Sequence, residues 1–153
     1  MIQEGDQFPP FQLPDENGKQ RSLEDLAGDT GLVLYVYPKD DTPGCTVEAK
    51  DFRDQLKAFR DHGYAVAGIS KDSGASHCKF IDKYDLTFPL LTDSDAELLS
   101  QIGAFGEKKN YGRVYQGIIR STFVIGADGT LHKAYRNVRA KGHVERVLRD
   151  LEG

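Results

Sequence analysis

Sulfur is scarce in this chain, and tryptophan is missing. Its 153 residues include two cysteines, one methionine and no tryptophan. Two cysteines are too few for the disulfide framework of a small secreted scaffold, and too few for a four-thiolate metal or iron–sulfur site. A basic excess is missing as well. Twenty Lys and Arg against 24 Asp and Glu leave a net charge of −4. That argues against a nucleic-acid partner, because phosphates have to be offset by cations. No apolar run approaches the ~18 residues of a membrane span, so no membrane role is predicted. No Asn-x-Ser/Thr acceptor occurs, and the opening MIQEGDQFPPFQLPDENG has no basic run followed by an apolar stretch. The expectation is a cytoplasmic protein, in a compartment where a disulfide would be transient and catalytic.

What is present is an ordinary globular balance, with 39% hydrophobic and 29% charged residues. The length predicts one domain over 1–153, with no linker, repeat or low-complexity tract. Near the start, Phe8–Leu13 alternates weakly, Asp15–Gly18 reads as a turn, and Arg21–Leu26 as a helical turn capped by Ser22. The first strong element is Leu32–Tyr37, a continuous apolar and aromatic run ended by Pro38. Such a run predicts a strand buried on both faces. After the loop KDDTPG, residues Cys45, Ala49, Phe52, Leu56 and Phe59 fall on one helical face. Thr42-Pro43 offers a hydroxyl cap and a proline at the first helical position.

Further on, Tyr64–Ser70 reads as a second buried strand, Ser73–Tyr84 as a helix and Phe88–Leu91 as a short strand. Ser94–Ile102 reads as a helix capped by Ser94, and Gly103–Gly117 as irregular chain. Ile118–Ile125 reads as a strand interrupted by Arg120-Ser121-Thr122. The Asp128-Gly129 turn leads to a return strand Leu131–Arg136, and Ala140–Leu151 closes the chain as an amphipathic helix. Parallel βαβ units followed by an antiparallel hairpin predict an α/β fold, a sheet with helices on both faces.

Cys45 sits where a buried strand turns into a helix. The first helical turn presents free N–H groups and the positive end of the macrodipole, and both favour a thiolate. Gly44 lets a small ligand approach the backbone. Cys45 also lies on the apolar stripe, so a structural core role stays open on spacing alone.

Pro38-x-x-x-Thr42-x-x-Cys45 resembles the active-site motif of peroxiredoxins, and the longer string TPGCTVEA resembles their Q-type, or bacterioferritin comigratory protein, branch. Other segments are similar in order and spacing: Gly5-Asp6-x-Phe8-Pro9-x-Phe11, Phe88-Pro89-Leu90-Leu91-x-Asp93, Gly106–Gly112 and Arg120-Ser121-Thr122-Phe123-x-Ile125. The likeness runs over essentially the whole chain. It implies a thioredoxin-like fold, a central mixed sheet flanked by helices with an N-terminal extension. It also implies a peroxidase that needs no metal, flavin, haem or other cofactor. Cys45 would attack the peroxide and become a sulfenic acid. Thr42 would hold thiolate and peroxide through the same hydroxyl that could cap the helix. Arg120 would stabilise the charge, against the alternative of a strand-edge arginine facing water. Glu48 would orient Arg120 rather than sit in solvent, and Pro38 would shield the thiolate as well as end the strand.

Many Q-type relatives carry a resolving cysteine five residues after the first, but here that position is Lys50. The other candidate is Cys78, 33 residues on, in the helix where a second set of relatives carries theirs. The implied cycle forms a Cys45–Cys78 disulfide reduced by thioredoxin or a similar dithiol. If Cys78 is instead a core cysteine, an external thiol would recycle the enzyme. A disulfide needs the Cα atoms within about 7 Å, so a larger separation would require the helix start at Thr42–Glu48 or the Ser73–Cys78 turn to unwind. The expected state is a monomer or weak dimer. A thiol–disulfide oxidoreductase is disfavoured because Cys-x-x-Cys is absent; a redox sensor using the same thiol is the non-enzymatic rival. His77 is expected at the surface, and His62, His132 and His143 in solvent. No His and Cys pair has zinc spacing.

Overall fold

A computed structural model describes residues 1–152. The core is a five-stranded sheet built on β3 (Gly31–Val36), whose six residues are all buried. It lies beside β4 (Tyr64–Ser70), with which it pairs in parallel, and β8 (Ser121–Gly126), with which it pairs antiparallel. β5 (Leu90–Thr92) extends the parallel side and β9 (Leu131–Tyr135) the antiparallel side, giving the order β5-β4-β3-β8-β9. The side chains of β3 alternate between two cores, as the pleat requires. Val33, Tyr35 and Tyr37 face α2 (Pro43–Asp61), α3 (Gly74–Tyr84) and α5 (His143–Glu152). Leu32, Leu34 and Val36 face α1 (Leu23–Leu26) and α4 (Glu97–Gln101). The mixed α/β reading therefore holds, with α2 and α3 on the same face of the sheet.

The N-terminal segment folds against this core. β1 (Leu13–Pro14) and β2 (Gln20–Arg21) form a small hairpin, and Phe8 packs edge-on against Phe123. Among the described residues no helix is long and apolar enough to cross a membrane.

Four sequence expectations need correction. Residues 103–117 are not irregular: β6 (Phe105–Asn110) and β7 (Arg113–Ile118) form a hairpin. Its turn has positive φ at Tyr111 (51°) and Gly112 (78°), the geometry of a primed turn. Most of β7 is exposed, so no burial alternation marked it as a strand. The strand expected at 118–125 is split, because Ile118 ends β7 and β8 starts only at Ser121. Arg120 thus stands at the entrance to a strand rather than inside one. Ser94 does not cap α4: the helix starts at Glu97, and the Asp93 carboxylate accepts from the Leu99 N–H at 2.9 Å. The last helix begins at His143 rather than Ala140, because Gly142 takes a left-handed φ of 76° just before it.

Candidate active site

The loop from β3 to α2 sets the site. Pro38, half-buried, follows directly on the strand, and Asp41 takes a positive φ of 56° that turns the chain towards the helix. Thr42 is the N-cap residue and Pro43 begins α2, as expected from sequence. The expected hydroxyl cap is absent, however: Thr42 Oγ1 donates to the Lys39 carbonyl at 2.8 Å. No side chain takes the cap position, so the first-turn N–H groups keep their pull on an anion.

Cys45 lies in that first turn, 1% exposed. Arg120 Nη2 donates to Cys45 Sγ at 3.2 Å, and Arg120 Nη1 donates to Glu48 Oε1 at 2.5 Å. One guanidinium thus bridges the sulfur and a carboxylate one helical turn below it. The fork geometry of arginine is what allows both contacts at once. Glu48 is fully buried, and its Oε2 has no hydrogen-bond partner; the same is true of the Tyr35 hydroxyl. Burial pushes the Glu48 carboxyl up to about 7, although the charge and hydrogen bond of Arg120 pull it down. Burial alone would lower Arg120, but Glu48 and Cys45 beside it raise it. The arginine therefore keeps its charge within a largely dry site.

Gly44 leaves room for this arrangement. A Cβ at position 44 would stand 3.2 Å from Arg120 Nη2, the nitrogen that serves the sulfur. The arginine backbone is held as well, since its carbonyl accepts from the Val138 N–H at 3.0 Å.

Cys45, Glu48 and Arg120 thus meet as the sequence suggested, with Thr42 and Pro38 in the adjoining loop. Cys78 is elsewhere. It is half-buried on α3, and its sulfur donates to the Glu16 carbonyl at 3.1 Å. Glu16 in turn reaches the Leu90 N–H of β5. The two sulfurs thus have separate partners, Arg120 for Cys45 and the Glu16 carbonyl for Cys78. Both cysteines are free thiols. Lys50, at the position of the missing local partner, is exposed and lies 5.9 Å from the Tyr84 ring centroid.

Two histidines overturn their expected exposure. His77 is completely buried, with Nδ1 2.8 Å from Asp40 Oδ2 and Nε2 3.0 Å from the Leu91 carbonyl. His143 is 4% exposed, with Nε2 2.7 Å from Thr122 Oγ1, and burial, helped by Arg146 and Arg120, pushes it down to about 4. Their partners lie 37 and 21 residues away in sequence, so nothing local marked them. His132 is exposed, as expected. Among the described residues no group of His, Cys, Asp and Glu could hold a metal ion.

A reactive-type cysteine at a helix start, bridged by arginine and packed on a mixed sheet, defines a class of thiol chemistry. Comparison with known proteins makes the class specific. Residues 4–134 match the AhpC/TSA family. Peroxiredoxin Bcp of Bacillus subtilis is 42% identical over 151 residues, covering 99% of this chain and 96% of that one. The structure of PrxQ from Xylella fastidiosa superposes with a TM-score of 0.90 at 37% identity, over 99% of this chain and 96% of that one. Peroxiredoxin Q of Xanthomonas campestris gives 0.85 at 40% identity, over 93% and 89%. The chain belongs to the AhpC/TSA family and is a thioredoxin-like peroxiredoxin of the Bcp and Q type, a thiol-dependent peroxidase.

Proposed function

We propose that this single-domain enzyme reduces hydrogen peroxide and organic hydroperoxides at Cys45, and that Cys78 resolves the product. The observation that carries the reading is the Arg120 guanidinium shared between Cys45 Sγ and Glu48. The Cys45 thiolate attacks one peroxide oxygen in line. The O–O bond breaks, the sulfur takes that oxygen as a sulfenic acid, and the second oxygen leaves as an alkoxide or hydroxide that takes a proton from water. Arg120 and the first-turn N–H groups offset the charge that grows on the leaving oxygen. Thr42 points its own hydrogen at Lys39, so its oxygen is free to accept the hydrogen of the hydroperoxide.

The Cys78 thiolate then attacks the Cys45 sulfur, forming the S–S bond and expelling hydroxide. Thioredoxin or a similar dithiol reduces that bond by thiol exchange, supplying two electrons. Because Cys45 is buried against Arg120 while Cys78 is held at the Glu16 carbonyl, part of α2 or α3 unwinds in each cycle. The enzyme works in the cytoplasm as a monomer or weak dimer.

The test is peroxide consumption coupled to thioredoxin, for wild type, Cys45→Ser and Cys78→Ser. Cys45→Ser abolishes consumption; full activity there refutes the reading. Cys78→Ser still reduces one peroxide per chain but loses coupled turnover. Undiminished turnover would instead assign recycling to an external thiol.

A further inference from the structure

Outside the Cys45 site, a buried cluster of titratable groups joins the loop ahead of Cys45 to α3, the helix that carries Cys78. Asp40, two residues before Thr42, is 7% exposed. Its Oδ1 accepts from the Tyr37 hydroxyl at 2.5 Å. Its Oδ2 faces Ser76 Oγ at 2.7 Å and His77 Nδ1 at 2.8 Å. His77 Nε2 faces a backbone carbonyl, Leu91 O, which can only accept, so Nε2 carries a hydrogen. Nδ1 and Asp40 Oδ2 share one hydrogen at 2.8 Å, so His77 and Asp40 form a buried hydrogen-bonded pair.

The other groups around the pair are the Tyr37 hydroxyl, 3.3 Å from Nδ1, and Asp72. Asp72 accepts from the Asp40 N–H and from Ser70 Oγ rather than from the ring. The next loop residue, Asp41, accepts from Lys83 Nζ at 2.9 Å and Tyr84 Oη at 2.8 Å. The loop ahead of Cys45 thus grips α3 at both ends, and the grip at His77 is one residue from Cys78.

We propose that Asp40 and His77 are positioning residues: they hold the Cys45 loop on α3, and their separation is the step that lets Cys45 leave its site. The proposal rests on the reading that Cys78 resolves Cys45, but its opening step can be measured without Cys78. Moving the loop towards Cys78, or unwinding the first turns of α3, breaks that buried hydrogen bond. Leaving both groups unpaired is costly until they reach water. The pair therefore keeps the peroxide-reactive arrangement dominant. If the open form is about 1% populated, a tenfold weaker latch raises it to about 10% and leaves about nine-tenths of the chains reactive. Peroxide reduction then hardly changes, whereas every step that needs opening accelerates about tenfold.

The test compares His77→Gln and Asp40→Asn with wild type. Stopped-flow oxidation by hydrogen peroxide should stay within about twofold, and disulfide closure after one equivalent should accelerate about tenfold. The same latch variants are also made in Cys78→Ser protein, where alkylation of Cys45 by iodoacetamide reports opening directly and should also rise about tenfold. A merely structural pair would slow peroxide reduction and disulfide closure together. Unchanged alkylation overturns the proposal. Faster alkylation with no disulfide in any Cys78-containing protein keeps the latch and refutes the resolving role of Cys78 instead.

Discussion

Two buried groups on the helical face of the sheet titrate against each other, and their opposition can be measured. Glu48 is held up to about 7 from an ordinary 4.5, mainly by burial. His143 is held down to about 4 from an ordinary 6.5, again mainly by burial. Consider pH 4.5 to 6.5, the window between those two ordinary values. There the folded chain keeps a proton on Glu48 that the unfolded chain has released, so raising the pH costs stability. In the same window the folded chain keeps His143 neutral while the unfolded chain still binds a proton, so raising the pH adds stability. Each slope is about 1.4 kcal/mol per pH unit at mid-window and about half that where the unfolded group is half-titrated, which makes roughly 2 kcal/mol over the window, with opposite sign. In wild type they cancel.

Glu48→Gln and His143→Gln each remove one arm of the balance while keeping a hydrogen-bonding side chain of similar size. Urea unfolding of reduced protein at pH 4.5, 5.5 and 6.5 gives the stability of each protein. Relative to wild type, Glu48→Gln should gain roughly 2 kcal/mol on going up through the window, and His143→Gln should lose about as much. Every other carboxylate is common to the three proteins and drops out of the differences. Curves parallel to wild type, or differences of the same sign for both variants, would refute the reasoning.

The Cys45 site yields two further expectations. Gly44→Ala adds a Cβ 3.2 Å from the guanidinium nitrogen that serves Cys45. It should slow peroxide reduction by about tenfold, while alanine's helix propensity of up to ~1 kcal/mol over glycine leaves Tm unchanged or higher; an unchanged rate would mean that the arginine's exact placement is immaterial. Thr42→Val should lower the peroxide rate about 100-fold by removing the hydroxyl, with Thr42→Ser restoring most of it. Because that hydroxyl does not cap α2, thermal denaturation should show little of the loss expected from a missing cap.

The parts of the fold that were legible in sequence are those whose burial is written locally. Leu32–Tyr37 is apolar throughout because β3 is covered on both faces, and the stripe from Cys45 to Phe59 marks α2 because one face meets that sheet. The β6–β7 hairpin was invisible for the converse reason, since most of β7 faces water and carries no alternation. Cys45, Thr42, Glu48 and Arg120 are legible mainly through resemblance to a family; Arg120 precedes β8 rather than interrupting a strand. Asp40, His77 and His143 carried no signal. Whether a histidine is buried depends on partners supplied by distant segments, and those exist only once the sheet order is set.

The proposed chemistry of Cys45 makes incompatible demands on one loop. Attack on peroxide needs the sulfur held at the helix start, beside Arg120 and out of water, and it is 1% exposed there. At that exposure no thiol can approach the sulfenic acid in line, whether it comes from Cys78 or from outside the chain. An external thiol would therefore not remove the need for opening; it would only shorten how far the loop has to travel. The contacts proposed to resist opening are those that fasten Asp40 and Asp41 to α3, and of these the Asp40–His77 contact joins two buried residues. It follows that Asp40 and His77 should govern the rate of recycling by either route, whereas the position of Cys78 should govern which route is taken.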